Sequence, residues 1–286
     1  MGHDVTVAIP ETRVPLKARS PFEMRINLGN GVSDTGVSEA LKTGDVGFLH
    51  SFTTGSAVDG PGIRLVAWTT ACMFRCQFCH NPDTWTLSNG IPVTLEHAVD
   101  EVRKYSAGLT RMGGGFTLSG GEPMMQGRFA ARLLAAAHAM GVHTAIETNG
   151  YYGAKLSDDE LLDIDLVILD MKGFSLEQHK RVTGGLSNAG VLRFARRLAA
   201  LKRPIWLRYV LVPGLTDVDA EIADIAHFAA SLEVVERVEV LPFHQMGRYK
   251  WDKLALPYRL ADTEPPVQSL IDNTVDIFLA SGLAAD

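Results

Sequence analysis

All three cysteines of this 286-residue chain lie within Cys72-Met73-Phe74-Arg75-Cys76-Gln77-Phe78-Cys79. Thiols confined to one short segment cannot join distant parts of a fold. The spacing C-x3-C-x2-C therefore points to chemistry at one loop before it points to architecture. Three thiolates are offered and no fourth. Structural zinc sites close at four ligands and iron-sulfur clusters are usually held by four cysteines, so a set of three leaves one metal position open. The other readings are a zinc site completed by His80, a redox pair at Cys76 and Cys79, or thiols that are simply buried. His80 follows Cys79 directly and is badly placed to reach the same ion, and a redox pair has no use for Cys72.

Around this loop is a chain able to bury a large core, since 46% of its residues are hydrophobic. A net charge of -6 argues against a nucleic-acid binder held by phosphate contacts. No apolar run is long enough to cross a bilayer, and residues 1–25 lack the charged-then-apolar order of a signal peptide. Cysteines kept together and unpaired fit a reducing compartment. The expectation is a cytoplasmic protein without nucleic-acid or membrane partners.

Residues 1–45 show no clear period, contain Pro10, Pro15 and Pro21, and end in a Gly/Ser/Asp-rich run. They read as an N-terminal extension, expected to be poorly ordered, ahead of one domain over residues 46–286. From residue 63 onward, short runs rich in branched and aromatic residues alternate with helical patterns. Strands are expected at 63–70, 116–119, 142–147, 166–170, 205–212 and 238–241. Thr94 can cap a helix with Ala98, Val99 and Val102 on one face, and Gly141 can end another that buries Phe129, Leu133 and Leu134. A helix over 188–202 stops before Pro204, and Asp217 or Asp219 is a candidate cap for the next. The last helix is expected to start near Pro265 and Pro266 and to bury Val267, Leu270, Ile271 and Phe278. Six strand-helix units with right-handed crossovers predict a partial (β/α)6 TIM-like barrel, short of closure and laterally open. A doubly wound open sheet is the competing architecture.

In such folds the site forms at the C-terminal ends of the strands. The polar residues fall there repeatedly: the cysteines after the first strand, Gly120-Gly121-Glu122 after the second, Glu147-Thr148-Asn149 after the third. Asp170 and Lys172 end the fourth, Arg208 interrupts the fifth and His244 follows the sixth. Adjacent glycines let a backbone approach a ligand, Glu122 can receive an ammonium and Lys172 a carboxylate, with Asp170 accepting from hydroxyls. Taken singly, each has a structural alternative: a tight turn for Gly120-Gly121-Glu122, a surface ion pair for Lys172, a paired interior charge for Arg208, a core histidine for His244. Together they describe an amino acid moiety beside a metal with a vacant position. A nucleoside extension accounts for Phe78 near the loop.

The segment from Cys72 to Pro82, followed by Ser119-Gly120-Gly121-Glu122-Pro123, resembles the radical S-adenosylmethionine superfamily. Val58-Asp59-Gly60-Pro61-Gly62-Ile63-Arg64, residues 165–172 and residues 206–213 resemble, more narrowly, the pyruvate formate-lyase activating family. The likeness covers about residues 46–265 and leaves residues 1–45 outside. It implies a 4Fe-4S cluster on Cys72, Cys76 and Cys79, with S-adenosyl-L-methionine chelating the fourth iron. By position, Gly120, Gly121 and Glu122 hold the ammonium and Lys172 the carboxylate. Asp170 and His244 reach the ribose, Phe78 the adenine, and Arg208 belongs to the same cofactor site. A monovalent cation is implied at Glu147, Thr148 and Asp170, although the family residue at 147 is aspartate. The implied reaction is reductive cleavage of S-adenosylmethionine to a 5'-deoxyadenosyl radical that takes hydrogen from a glycine Cα of a glycyl-radical enzyme such as pyruvate formate-lyase. A flavodoxin or ferredoxin-type donor supplies the electron, and Asp59 and His80 are candidates to contact the partner's loop. With three cysteines the chain lacks an inserted ferredoxin-like domain.

Overall fold

The computed structural model describes residues 37–286. Residues 1–36, most of the expected extension, lie outside the described residues. Residues 37–45 are tied to the rest of the chain: helix α1 (Val37–Thr43) is followed by a turn that Arg132 holds through Thr43 O and Asp45 Oδ1.

One sheet contains β1 (Val46–Ser56), β2 (Arg64–Thr69), β3 (Ile91–Thr94), β4 (Gly115–Gly120), β5 (His143–Thr148), β6 (Leu166–Asp170), β7 (Ile205–Leu211) and β8 (Val235–Pro242). The six expected strands are β2 and β4 to β8, each parallel to its neighbour. Two further strands, β1 and β3, add antiparallel pairs beside β2, giving the order β3-β1-β2-β4-β5-β6-β7-β8. The sheet does not close. Its β3 edge is four residues long and carries Pro92, as edge strands tolerate. The β8 edge is covered by the chain end, where Val238 and Val240 donate to Ala284 O and Asp286 O.

Helices α2 (Leu95–Arg111), α3 (Gly127–Ala139), α4 (Asp158–Leu162), α5 (Leu176–Thr183), α6 (Ala189–Ala200), α7 (Asp219–Ser231), α8 (Arg248–Lys253) and α9 (Gln268–Ala280) complete the described chain. Period-two alternation divides each parallel strand into two faces. Phe116, Leu118, Ile146, Val167, Leu169, Leu207 and Val240 pack outward against helices. Burial of such a side chain is worth about 1.5–3 kcal/mol, so this layer is the main stabilising element. Ala145, Leu166, Ile168 and Trp206 form a small separate apolar cluster on the other face. Beyond it that face turns polar with Ser119, Glu147, Asp170, Arg208 and Glu239.

Thr94 caps α2 as expected, accepting from His97 N at 3.2 Å. Two other expectations are corrected. Neither Asp217 nor Asp219 caps α7 with its side chain: Val218 holds the cap position, and Asp217 accepts from Gly214 N at 2.8 Å to close the preceding turn. Helix α9 starts at Gln268, and Val267 is 67% exposed, because the buried residue at the entry to the helix is Pro266 and the next position turns outward. Phe278 is buried as expected, whereas Leu270 and Ile271 are half-buried.

Gly120 joins β4 to the loop after it. Its φ is +122°, and a Cβ there would collide with the backbone N and O of Thr69 on β2. A Gly120→Ala protein is therefore expected to lose about 2–5 kcal/mol through strain and overpacking. A urea-unfolding midpoint equal to that of wild type would contradict this.

Candidate functional site

The cysteine loop leaves β2 through Ala71, whose φ of +75° turns the chain across the top of the sheet. Ala71 O accepts from Glu122 N and Ala71 N donates to Thr84 O, both at 2.8 Å. The loop is then fastened to the C-terminal end of α5, as Arg75 N donates to Thr183 O and Gln77 N to Val182 O. Cys79 N donates to Cys76 O at 3.1 Å. All three cysteines are free.

Burial pushes all three thiols upward, Cys76 to about 12 against the pull of Lys172. Thiols in such a setting become thiolates when a metal displaces the proton. Among the described residues no three His, Cys, Asp or Glu side chains are drawn together tightly enough to hold a single ion. Three thiols on one anchored loop suit a cluster of several irons with one iron left open.

Lys172 stands beside this loop because β6 ends two residues earlier. It is nearly buried, its Nζ lies 2.9 Å from Asp170 Oδ1 and 5.2 Å from the centroid of the Phe78 ring. Burial opposes its charge, but Asp170 and Cys76 outweigh burial and hold its pKa above the usual lysine value. Phe78 packs with Val182, Val212 and Phe243. His244, following β8, lies against His80 with ring centroids 4.1 Å apart. Burial, then His244, pushes His80 down to about 4, which leaves it neutral at pH 7. The structure thus brings together the cysteines, Phe78, Asp170, Lys172, His80 and His244.

Glu122 has a different place from the one its sequence suggested. It is 0% exposed, with Oε1 accepting from Met124 N at 3.0 Å and Thr148 Oγ1 at 2.7 Å, and Oε2 from Asn149 N at 2.8 Å. Burial pushes its pKa up to about 7 against these three donors. The carboxylate is spent on linking the ends of β4 and β5. What remains in Gly120-Gly121-Glu122 to meet a ligand ammonium is backbone. Asn149, fixed by the same link, points its amide towards Cys72 Sγ at 3.9 Å.

The residues expected around a cation each face other partners. Glu147 accepts from Ser119 Oγ and from Arg208 Nη1. Thr148 donates to Glu122, and Asp170 pairs with Lys172. Burial disfavours the Glu147 charge, but Arg208 and Ser119 prevail and hold its carboxyl below the usual range. Arg208 donates as well to Glu239 Oε2 at 2.6 Å and to Val58 O, and lies 3.8 Å from Asp59. It is a paired interior charge. Asp59 is itself buried, accepting from Ser56, so its carboxylate faces the barrel interior instead of standing free for a partner. Ser119 and Glu239 were not anticipated. Strand alternation carried a signal for Glu239, which stands between the outward Val238 and Val240 on β8, and a weaker one for Ser119, which follows the outward Leu118 on β4.

Residues 66–229 match the family model of the radical SAM superfamily. The pyruvate formate-lyase-activating enzyme of Staphylococcus epidermidis is 41% identical over 227 residues, 77% of this chain and 90% of that protein. The enzyme of the same name from Staphylococcus aureus is 40% identical over the same shares. Among solved structures, a radical SAM methyltransferase from Sphaerobacter thermophilus superposes with a TM-score of 0.58 at 16% identity, covering 89% of this chain and 81% of that one. Streptococcus suis SuiB bound to S-adenosylmethionine gives 0.57 at 15% identity, over 88% of this chain and 53% of that one, a likeness of fold.

Proposed function

Because the chain belongs to the radical SAM superfamily, and within it to the pyruvate formate-lyase-activating enzymes, we propose that it activates pyruvate formate-lyase by placing a radical on a glycine of that enzyme. Cys72, Cys76 and Cys79 would hold the 4Fe-4S cluster. When bound, the reduced cluster supplies the electron for reductive cleavage of S-adenosylmethionine, which leads to hydrogen abstraction from a glycine Cα.

The chain's own residues bind and orient. The backbone of Gly120-Gly121-Glu122 faces the ammonium of S-adenosylmethionine, and Lys172 holds its carboxylate. Asp170 and His244 take the ribose, and Phe78 borders the adenine. Arg208 acts from behind by fixing Glu147 and the loop at Val58 and Asp59. Positioning of this kind supplies most of what a protein adds to cofactor chemistry. The unclosed sheet leaves a side for the partner's glycyl loop to enter, and His80, beside His244 after the cysteines, is the candidate to contact it. A flavodoxin or ferredoxin-type protein would deliver the electron, in a reducing cytoplasm where the thiols stay free. No helix among the described residues is long and apolar enough to cross a membrane.

The observation that carries this function is the meeting of three free thiols on one loop with the buried Lys172, whose ammonium lies over the ring of Phe78 in that loop. The test is anaerobic reconstitution with iron and sulfide, reduction with dithionite, and chromatography of the products of S-adenosylmethionine. Methionine and 5'-deoxyadenosine are expected. A colourless protein holding one zinc and leaving S-adenosylmethionine intact would exclude the function.

A further inference from the structure

Beyond β8 the chain doubles back over the cysteine loop. The short turn Gln245–Gly247 leads into α8, whose main neighbours are that turn and the turn Pro82–Thr84 just after the cysteines. Residues 247–251 grip the segment after Cys79 at several points. Trp251 Nε1 donates to Cys79 O at 2.8 Å, and Lys250 Nζ donates to Asn81 Oδ1 at 2.7 Å and Asp83 Oδ1 at 3.2 Å. Gly247 lies so near His80 that a Cβ would stand 2.9 Å from His80 Cα.

The grip continues behind the loop. The Trp251 ring is 5% exposed and meets Trp85 edge-on, with centroids 5.1 Å apart at 88°. The Arg75 guanidinium lies 4.9 Å from the Trp85 ring centroid and donates to Cys72 O at 2.7 Å and Phe74 O at 2.8 Å. Trp85 O in turn accepts from Cys72 N. A continuous stack thus runs from Trp251 through Trp85 to Arg75, and it holds the peptide groups of the first and last cysteines at its two ends. The polar contacts in it go to the cysteine loop and the segment just after it.

We propose that Trp251 is a positioning residue for the cluster, fixing the Cys79 peptide through its indole N–H while Lys250 fixes the turn that follows. This rests on the function proposed above. Peptide groups around a cluster tune it as well as shape it. The indole N–H points its positive end at the cysteine loop, so it favours the more negative, reduced cluster. Its loss should make reduction harder and iron release easier.

The test uses the full chain, reconstituted anaerobically, with Trp251→Phe to keep the ring stack and remove the donor. The reduced fraction is read by absorbance against a redox dye at fixed potential, and iron release by a ferrous chelator. In W251F the ratio of reduced to oxidised cluster is expected to fall about threefold and iron release to quicken about fivefold, the size of one net hydrogen bond. Tyr249→Phe, at the exposed neighbour, should match wild type in both. A W251F protein with the wild-type reduced fraction overturns the proposal whatever happens to its stability, for the indole then serves the fold alone. If W251F does not fold, Lys250→Gln decides: fivefold faster iron release supports the positioning role, and the wild-type rate overturns it. A wild-type protein that takes up no cluster overturns this inference and the proposed function together, whereas unchanged variants of a cluster-bearing protein overturn this inference alone.

Discussion

Replacing Arg208 with methionine is expected to lower the stability of the cluster-free protein by about 3–5 kcal/mol, the cost of breaking a buried ion pair from one side. Arg208 is 6% exposed and serves three carboxylates, Glu147 at 2.5 Å, Glu239 at 2.6 Å and Asp59 at 3.8 Å, besides the carbonyl of Val58. These partners lie on β5, β8 and the loop between β1 and β2, so one guanidinium ties together strands far apart in sequence. Burial works against its charge, yet the carboxylates overcome burial and raise its pKa. Methionine keeps much of the volume and strands the negative charges. A double variant, Arg208→Met with Glu147→Gln, should regain part of the loss because one stranded charge is gone. Urea unfolding reads both. An R208M protein within about 0.5 kcal/mol of wild type, the range of ordinary surface substitutions, would show that the network does not hold the barrel.

Lys172→Met is expected to weaken S-adenosylmethionine binding to the reconstituted protein by about 100-fold, as loss of a charge-assisted contact in a desolvated place implies. Lys172 is set for this contact before any ligand arrives. Its ammonium is held by Asp170 at 2.9 Å and faces the Phe78 ring, so little ordering remains to be done on binding. Loss of the lysine also leaves Asp170 beside Glu147 without its partner, which adds repulsion inside the pocket. Equilibrium titration of anaerobic protein measures the affinity, and iron content shows separately that the cluster is intact. Unchanged affinity would remove Lys172 from the carboxylate site.

The parallel strands were legible because they are short, branched, apolar runs bounded by glycine, proline or polar turns. β1 was not. Most of its residues are buried on both faces, so no alternation marks it, and it enters the sheet through antiparallel pairs that no local pattern announces. β3 is too short to show a period, and its proline reads as a turn. At the site, the cysteines and Lys172 could be placed from strand ends alone. Glu122 could not, because two of its three donors come from Thr148 and Asn149, 26 and 27 positions away, and only the parallel pairing of β4 with β5 brings them to it. Arg208 carries the same lesson over longer reach: its carbonyl acceptor at Val58 is 150 positions distant. Trp251 gave no signal, since an indole near the end of a chain reads as packing until its N–H is seen on Cys79 O.

The most direct measurement of the central claim is electron paramagnetic resonance of pyruvate formate-lyase after anaerobic incubation with this protein, S-adenosylmethionine and a reductant. A glycyl radical signal that requires all three components, and that disappears when Cys76 is replaced by alanine, is the predicted result. Cleavage of S-adenosylmethionine without any radical on pyruvate formate-lyase would keep the chemistry and contradict the partner, and no cleavage at all would contradict both.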